Sequence, residues 1–331
     1  MKNPLKVTGL LAAAALAAPG GYHISKEIKI GGEGGWDYLT LDSAARRLYV
    51  SHATKVVVID VDAGTVAGEI PNTAGVHGIA IATGLNRGFT SNGRANTVTI
   101  FDPKTLKSIG EVKTGKNPDA IQYDSVSGTL YTFNGGSNDA TVIDPKTGTV
   151  KGTVPLGGKP EFSAADGKGK IYVNIEDTAE IVEIDAAAMK ATKRYSLKPC
   201  ESPSGLAMDT AKRRIFSVCE NEMMAISDPD SGKVIATPAT GKGADGAGFD
   251  PGTGLAFSSN GGDGKLTVVQ EKAGQWSVVE NAVTKKGART MTIDPKTHAV
   301  YLPAAAYGPM AAGAKRPPMV PDSFEVLVVT R

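Results

Sequence analysis

A motif of about 40 residues recurs seven times in this chain of 331 residues. Each copy has a short apolar run, in most copies an Asp, then a turn and a run led by an aromatic residue. The anchor positions, spaced 40 to 44 residues apart, are Asp42, Ala82, Asp124, Asp166, Asp209, Asp250 and Asp294. Strand-rich units with a fixed period of this length are typical of β-propellers. The repeat predicts an all-β fold, a seven-bladed β-propeller.

The third repeat shows how one unit becomes one blade. Residues 120–123, 130–133, 140–143 and 149–154 are rich in β-branched and aromatic side chains. Asp and Gly residues occupy the turns at 124–128 and 144–148. This alternation of strand and turn signals predicts four antiparallel strands per blade.

The seventh repeat supplies three strands, at 291–293, 300–302 and 326–329. Residues 26–32 resemble residues 150–158, which close the third blade. We expect this N-terminal strand to complete the last blade, because it would close the ring and cover an exposed sheet edge.

The N-terminal residues have the pattern of a secretory signal peptide. Lys2 and Lys6 precede an apolar run at 7–18, and Ala15-Leu16-Ala17 forms a small-x-small cleavage signal. The apolar run is too short to span a membrane as a helix. We expect a signal peptide at 1–17 and one propeller domain at 18–331, located in the periplasm or secreted.

The chain carries 36 basic and 34 acidic side chains, a net charge of +2, which gives no electrostatic reason for tight nucleic-acid binding. Its two cysteines, Cys200 and Cys219, flank the first hairpin of the fifth repeat. We expect them to form a structural disulfide in an oxidising compartment. No haem-attachment, zinc-protease, phosphate-loop or serine-hydrolase motif occurs in the sequence.

The strands that follow the anchors share a degenerate motif of four residues. Four copies of it are Tyr49-Val50-Ser51-His52, Phe89-Thr90-Ser91-Asn92, Tyr131-Thr132-Phe133-Asn134 and Phe257-Ser258-Ser259-Asn260. A strand such as Val57-Val58-Ile59-Asp60 follows the motif. These copies resemble the YVTN-type repeat of YncE-like bacterial seven-bladed propellers. The resemblance covers essentially the whole mature chain. It implies a binding role without catalysis, and nucleic-acid binding is associated with that family.

Polar residues enter the central channel at equivalent positions of all seven blades. Blade geometry places these positions on the face that carries the irregular loops, where function usually lies on a repeat scaffold. The seven rim positions are Asp37, His77, Asp119, Glu161, Ser204, Asp245 and Arg289.

Three interpretations of these rim positions stay open. The residues can simply meet a water-filled channel. They can bind a small polar or cationic ligand, or a hard cation such as Ca²⁺, or dock a protein partner. They can also be catalytic, with His77 or His52 as a general base oriented by a carboxylate such as that of Asp119.

A long loop at 303–323, rich in Pro and bearing Met and Tyr, interrupts the seventh repeat beside this face. Loops of this length are lids, binding loops or disordered insertions. The sequence therefore favours a monomeric propeller without a membrane span that binds a ligand or partner through one channel face. The alternative is an enzyme, resembling a hydrolase, a lyase or a dehydrogenase subunit, with its site at the channel mouth.

Overall fold

A computed structural model describes residues 20–310, 313 and 317–331. In this part of the chain, 28 strands form seven four-stranded antiparallel sheets. The described residues contain one short 3₁₀ helix, Thr83–Leu85, and no other helix. The predicted all-β fold with seven four-stranded blades is confirmed. The expected signal peptide at 1–17 lies outside the described residues.

The strands follow the repeat along the chain. Strand β1 (His23–Lys29) precedes blade 1, which contains β2 (Leu39–Asp42), β3 (Arg47–His52), β4 (Lys55–Asp60) and β5 (Thr65–Ile70). Blade 2 contains β6 (Val76–Ala82), β7 (Arg87–Asn92), β8 (Thr97–Phe101) and β9 (Ser108–Lys113). Blade 3 contains β10 (Pro118–Asp124), β11 (Thr129–Asn134), β12 (Asp139–Asp144) and β13 (Thr149–Pro155). Blade 4 contains β14 (Pro160–Ala165), β15 (Lys170–Ile175), β16 (Glu180–Asp185) and β17 (Lys190–Ser196).

The remaining blades complete the ring. Blade 5 contains β18 (Pro203–Asp209), β19 (Arg214–Cys219), β20 (Met223–Asp228) and β21 (Lys233–Ala236). Blade 6 contains β22 (Ala244–Asp250), β23 (Leu255–Asn260), β24 (Lys265–Lys272) and β25 (Gln275–Val283). Blade 7 contains β26 (Thr292–Ile293), β27 (Val300–Ala304) and β28 (Glu325–Thr330). The first strand of each blade contacts the first strand of the next, and β26 contacts β2, so these strands surround the central channel.

Strand β1 supplies the fourth strand of blade 7, as the sequence predicts. It pairs antiparallel with β28, with Ile28 opposite Val326. The strand ends at Lys29 and not at residue 32, because Gly31 and Gly32 both have positive φ angles, 73° and 81°, that a strand does not accommodate. A buried carboxylate also joins the closing elements: Glu325 forms ion pairs with Lys29 of β1 and with Lys285, at 2.7 Å, from the loop after β25.

The aromatic residues of the repeat form the core between blades. Each lies on the second strand of its blade and is buried; the set is Tyr49, Phe89, Tyr131, Tyr172, Phe216, Phe257 and Tyr301. The outer strands show the alternation of a sheet with one solvated face, and most bury one residue near their end, such as Ile70 in β5 or Val112 in β9. The motif therefore encodes packing.

The anchor Asp residues are turn formers on the face opposite the rim. The carboxylate of Asp124, for example, accepts a hydrogen bond from the backbone N–H of Ser127 at 2.7 Å. Where the anchor is Ala82, the 3₁₀ helix makes the turn and ends at Asn86, whose φ is +49°. Asp294 in addition binds Arg46 of blade 1 at 2.7 Å, which ties blade 7 to blade 1.

Cys200 and Cys219 form a disulfide in blade 5, with their Cα atoms 5.6 Å apart. Cys219 ends β19 and lies opposite Pro203, the first residue of β18, so the bond joins the two ends of one hairpin.

Candidate functional site

All seven rim positions line one cavity of about 470 Å³ at one mouth of the channel. We call it the rim cavity. Each rim residue precedes the anchor of its blade by five positions, so the repeat places them at the same height around the axis. His77 and Asp119 are the second residues of β6 and β10, where the pairing register shifts. Glu161, Ser204 and Asp245 occupy the same place in their blades. Such β-bulges redirect side chains and are frequent beside functional sites.

Serine hydroxyls of the second strands hold the backbone of the rim. The hydroxyl of Ser51 accepts a hydrogen bond from the N–H of Asp37 at 2.8 Å. Ser91 accepts one from the N–H of Gly78 at 2.8 Å and donates to the carbonyl of Asp119 in the next blade. The rim is therefore fixed by bonds within and between blades.

Side chains of opposite charge alternate around most of the rim. Asp37 accepts a hydrogen bond from Nδ1 of His77 at 2.6 Å, and the same nitrogen lies 3.7 Å from Asp119. Arg289 contacts Asp37 at 3.4 Å and forms an ion pair with Asp245. Because Ser204 donates to Asp245 at 2.6 Å, the connected side chains run from blade 5 through blades 6, 7, 1 and 2 to blade 3.

The charge alternation breaks at blade 4. Glu161 pairs with Lys159 at 2.8 Å, and Lys159 also binds Glu176. Sequence reasoning missed Lys159, although a signal was present. Two positions before each rim residue, the other blades carry Gly, Asn or Ser, and only blade 4 carries a long charged side chain.

The pKa values of the rim acids and of the rim imidazole are shifted. Burial lowers the pKa of His77, but the hydrogen bond to Asp37 and the charge of Asp119 outweigh burial and raise it to about 9. Burial and the charge of Asp37 raise the pKa of Asp119 to about 6. Burial and the charge of Asp119 raise the pKa of Glu161 to about 8. At neutral pH His77 is therefore an imidazolium, and Glu161 holds its proton to a higher pH than an ordinary glutamate does.

An aromatic pair closes the rim cavity from below. The rings of Tyr38 and Phe162 stack with their centroids 4.1 Å apart. Both residues line the rim cavity and also a deeper cavity of about 390 Å³ between the inner strands. The hydroxyl of Tyr38 is buried and has no hydrogen-bond partner among the described residues. The floor of the rim cavity is therefore aromatic, while its walls are charged.

His52 lies apart from the rim. Its side chain is buried, and its ring stacks on Phe324 with centroids 4.3 Å apart. Burial and the charge of Lys55 lower the pKa of His52. The residue does not line the rim cavity. His52, the alternative candidate for a general base, therefore lies outside the cavity that contains His77, because its ring is buried against Phe324, the residue before β28.

Part of the long loop at 303–323 packs beside the rim. The backbone N–H of Gly308 donates to the carbonyl of Pro318 at 2.8 Å, so the two arms of the loop pair with each other. The ring of Tyr307 lies 6.2 Å from that of Trp36, the residue before rim position Asp37. The described parts of the loop thus form a hairpin-like arm against blade 1.

One group of potential metal ligands lies at the rim among the described residues. Ligand atoms of Asp37, His77 and Asp119 all lie within 4.8 Å of one another. Ca²⁺ takes six to eight oxygen ligands, whereas this group offers two carboxylates and one imidazole. Nδ1 of His77 is also engaged in a 2.6 Å hydrogen bond with Asp37, which competes with binding of a metal ion at that nitrogen. The group therefore fits Ca²⁺ poorly, and Ca²⁺ binding stays a prediction to be tested.

Fold and rim together define a seven-bladed β-propeller with an acidic channel mouth. The chain is similar in structure to a chain of hydrazine synthase from Kuenenia stuttgartiensis, with a TM-score of 0.69 and 15% sequence identity. The match covers 89% of this chain and 96% of that chain, and at this identity it shows the fold alone. No family model and no curated protein sequence matches the chain. Membership of the YVTN-repeat, YncE-like family therefore stays a resemblance. Among the described residues, none of the helical segments has the length and apolar character of a membrane span.

Proposed function

We propose that this protein is a secreted or periplasmic propeller that binds a small cationic ligand in the rim cavity. The observation that carries the proposal is the excess of acids around one cavity at the channel mouth. Six carboxyl groups face three cationic side chains; the acids are Asp37, Asp119, Glu161, Glu176, Glu220 and Asp245, and the cations are His77, Lys159 and Arg289. Charge complementarity in a concave site selects ligands of the opposite sign.

Within the rim cavity, the cation is proposed to bind between Asp119 and Glu161, next to Lys159. Each of these acids has a raised pKa, and the charge of Asp119 is one cause of the shift at Glu161. An ammonium group between them would stabilise both carboxylates and favour loss of the Glu161 proton. The aromatic floor of Tyr38 and Phe162 adds a surface over which a cation is attracted to the ring faces.

The same charges argue against nucleic acid as the ligand. Nucleic-acid binding rests on neutralising phosphates with Lys and Arg. At the rim the three cations are already engaged: His77 with Asp37, Lys159 with Glu161, and Arg289 with Asp245. The carboxylates that remain would repel a phosphate backbone.

Binding also accounts for the state of His77 better than catalysis does. A general base at neutral pH needs an unprotonated nitrogen and a pKa near the working pH. His77 has a pKa raised to about 9, and its Nδ1 is hydrogen-bonded to Asp37. A hydrolase, lyase or dehydrogenase-like role for the rim stays an alternative, with His77 acting as an acid in that case.

Calorimetric titration with n-alkylamines, from methylamine to hexylamine, tests the proposal at pH 7. We expect saturable binding at one site. Glu161→Gln and Asp119→Asn should each weaken it about tenfold or more, since a charge-assisted hydrogen bond contributes about 1.5–3 kcal/mol. Glu33→Gln is the control, because Glu33 is exposed on the segment before blade 1 and does not line the rim cavity.

Two outcomes would contradict the proposal. One is the absence of alkylamine binding to the wild-type protein. The other is equal binding to the wild-type protein and to both rim variants. A parallel titration with CaCl₂ separates an organic cation from a hard metal ion, since stoichiometric Ca²⁺ binding lost in Asp119→Asn would assign the rim to Ca²⁺.

A further inference from the structure

A second cavity adjoins the rim cavity and has the opposite charge. It has a volume of about 540 Å³ and is lined by Trp36, Arg94 and Asn117. It shares three wall residues with the rim cavity, namely Asp37, His77 and Arg289. Three of its four charged side chains are cations when His77 is protonated. We call it the arginine cavity.

Several hydrogen-bond donors of the arginine cavity lack acceptors. Arg94 is exposed and forms no ion pair or hydrogen bond with the described residues. The indole N–H of Trp36 is buried and has no partner among them either. Nδ1 of His77 is engaged with Asp37, whereas its Nε2 has no hydrogen bond within the described part of the chain. The exposed guanidinium of Arg94 is therefore free to bind an acceptor from outside the chain. The buried indole N–H of Trp36 is a donor that lacks an acceptor within the described residues.

Two glycines hold these donors in one place. The backbone N–H of Gly93 donates to the carbonyl of Gly75 at 2.9 Å, which fixes the loop that carries Arg94 to the linker before β6. A Cβ on Gly75 would lie 2.7 Å from the Cβ of Arg94, and a Cβ on Gly93 would lie 2.7 Å from Nε2 of His77. Only glycine permits this approach, so Arg94 and Nε2 of His77 lie at the same end of the arginine cavity.

We infer that the ligand is dipolar, with its cationic group in the rim cavity and a carboxylate in the arginine cavity beside Arg94. This inference rests on the proposed function and adds the second half of the ligand. A guanidinium that binds a carboxylate, often in a bidentate manner, supplies both affinity and orientation. The shared wall of Asp37, His77 and Arg289 would then lie beside the middle of the ligand, between its two charges.

Matched probes test the inference. A series of ω-amino acids, from glycine to 6-aminohexanoate, is titrated beside n-alkylamines and n-alkanoates of the same lengths. We expect at least one ω-amino acid to bind ten to a hundredfold more tightly than its alkylamine. Its alkanoate, which lacks the cationic group, should bind more weakly than either.

Variants of the two cavities separate this inference from the proposed function. Arg94→Ala should remove the advantage of the amino acid and leave the alkylamine affinity within about twofold. Lys116→Ala is the matched control, since Lys116 is an exposed cation of the same group of loops and lines neither cavity. Glu161→Gln should weaken the amine and the amino acid alike.

The outcomes are distinct. If alkylamines bind but no ω-amino acid binds more tightly, or if Arg94→Ala leaves the advantage intact, the dipolar ligand is refuted and the cationic ligand stands. If no probe with an ammonium group binds, the proposed function fails, and the dipolar ligand fails with it.

Discussion

Shortening the side chain of Ile28 in the N-terminal strand β1 tests how the ring is closed. Ile28 is 3% exposed and packs with Leu39 of blade 1 and with Phe324 and Val326 of blade 7. Ile70 of blade 1 is 0% exposed and occupies the equivalent place in β5. Each pairs with the second residue of the third strand in its blade, Val326 for Ile28 and Val56 for Ile70. The two isoleucines therefore form a matched pair, one in the closing strand and one in an ordinary blade.

The expected cost follows from burial. Ile→Ala removes three carbons, which at about 0.8 kcal/mol each amounts to about 2.4 kcal/mol of transfer free energy. The cavity that remains adds to this, so Ile28→Ala should lower the free energy of unfolding by about 3 kcal/mol. Ile70→Ala should lower it by a similar amount. Ile109→Ala, at a position 53% exposed on β9, should change it by less than about 0.5 kcal/mol.

Equilibrium unfolding in urea, followed by tryptophan fluorescence, measures all three variants. A shift of the midpoint at constant slope reports a change of stability alone. The reasoning is refuted if Ile28→Ala behaves like Ile109→Ala while Ile70→Ala loses about 3 kcal/mol. In that case strand β1 would contribute no packing to blade 7, and the ring would be stable without it.

Two further predictions concern the disulfide and the rim imidazole. Reduction of the bond between Cys200 and Cys219, which are 19 residues apart, should cost about 3 kcal/mol, and a thiol assay of the unfolded, unreduced protein should find no free thiol. Because the pKa of His77 is raised in the folded protein, protonation of this ring stabilises the fold. The stabilisation is complete below the pKa of the unfolded chain, about 6.5, and is lost as the pH rises through about 9. Between pH 6.5 and 9.5 the wild-type protein should therefore lose about 2 kcal/mol more than His77→Asn, after allowance for screening of the partly exposed ring, and equal losses would contradict this.

Much of the fold was predictable because its signals are local. Each blade is indicated by three features that span only a few residues: alternating strand residues, a buried aromatic after the anchor, and an Asp at the turn. Because the repeat occurs seven times, a weak pattern in one copy is compensated by the others. Closure by the N-terminal strand was also predictable, because residues 26–32 resemble the strand that ends blade 3. The bounds of that strand were not, since positive φ angles at Gly31 and Gly32 end it at Lys29.

The members of the rim were predictable, but their contacts were not. Counting five residues back from each anchor finds the seven rim positions, all of which line the rim cavity. The same count does not show that Arg289 touches Asp37, since the two are 252 residues apart and meet only when blade 7 closes onto blade 1. It also misses Lys159, which lies two residues before the rim position of its blade. The burial of His52, at the end of β3, against Phe324 was not predictable from the sequence either.

The sequence by itself therefore determined the number of blades, the strand that closes the ring and the positions that face the channel. These three properties follow from the local preference of short segments for strands and turns, repeated at a nearly constant period. Only the tertiary structure decided which charges pair, which acids gain pKa values near neutrality and which donors stay without acceptors. Those properties depend on distances between blades and on burial in the closed ring, and neither exists until all seven blades are in place.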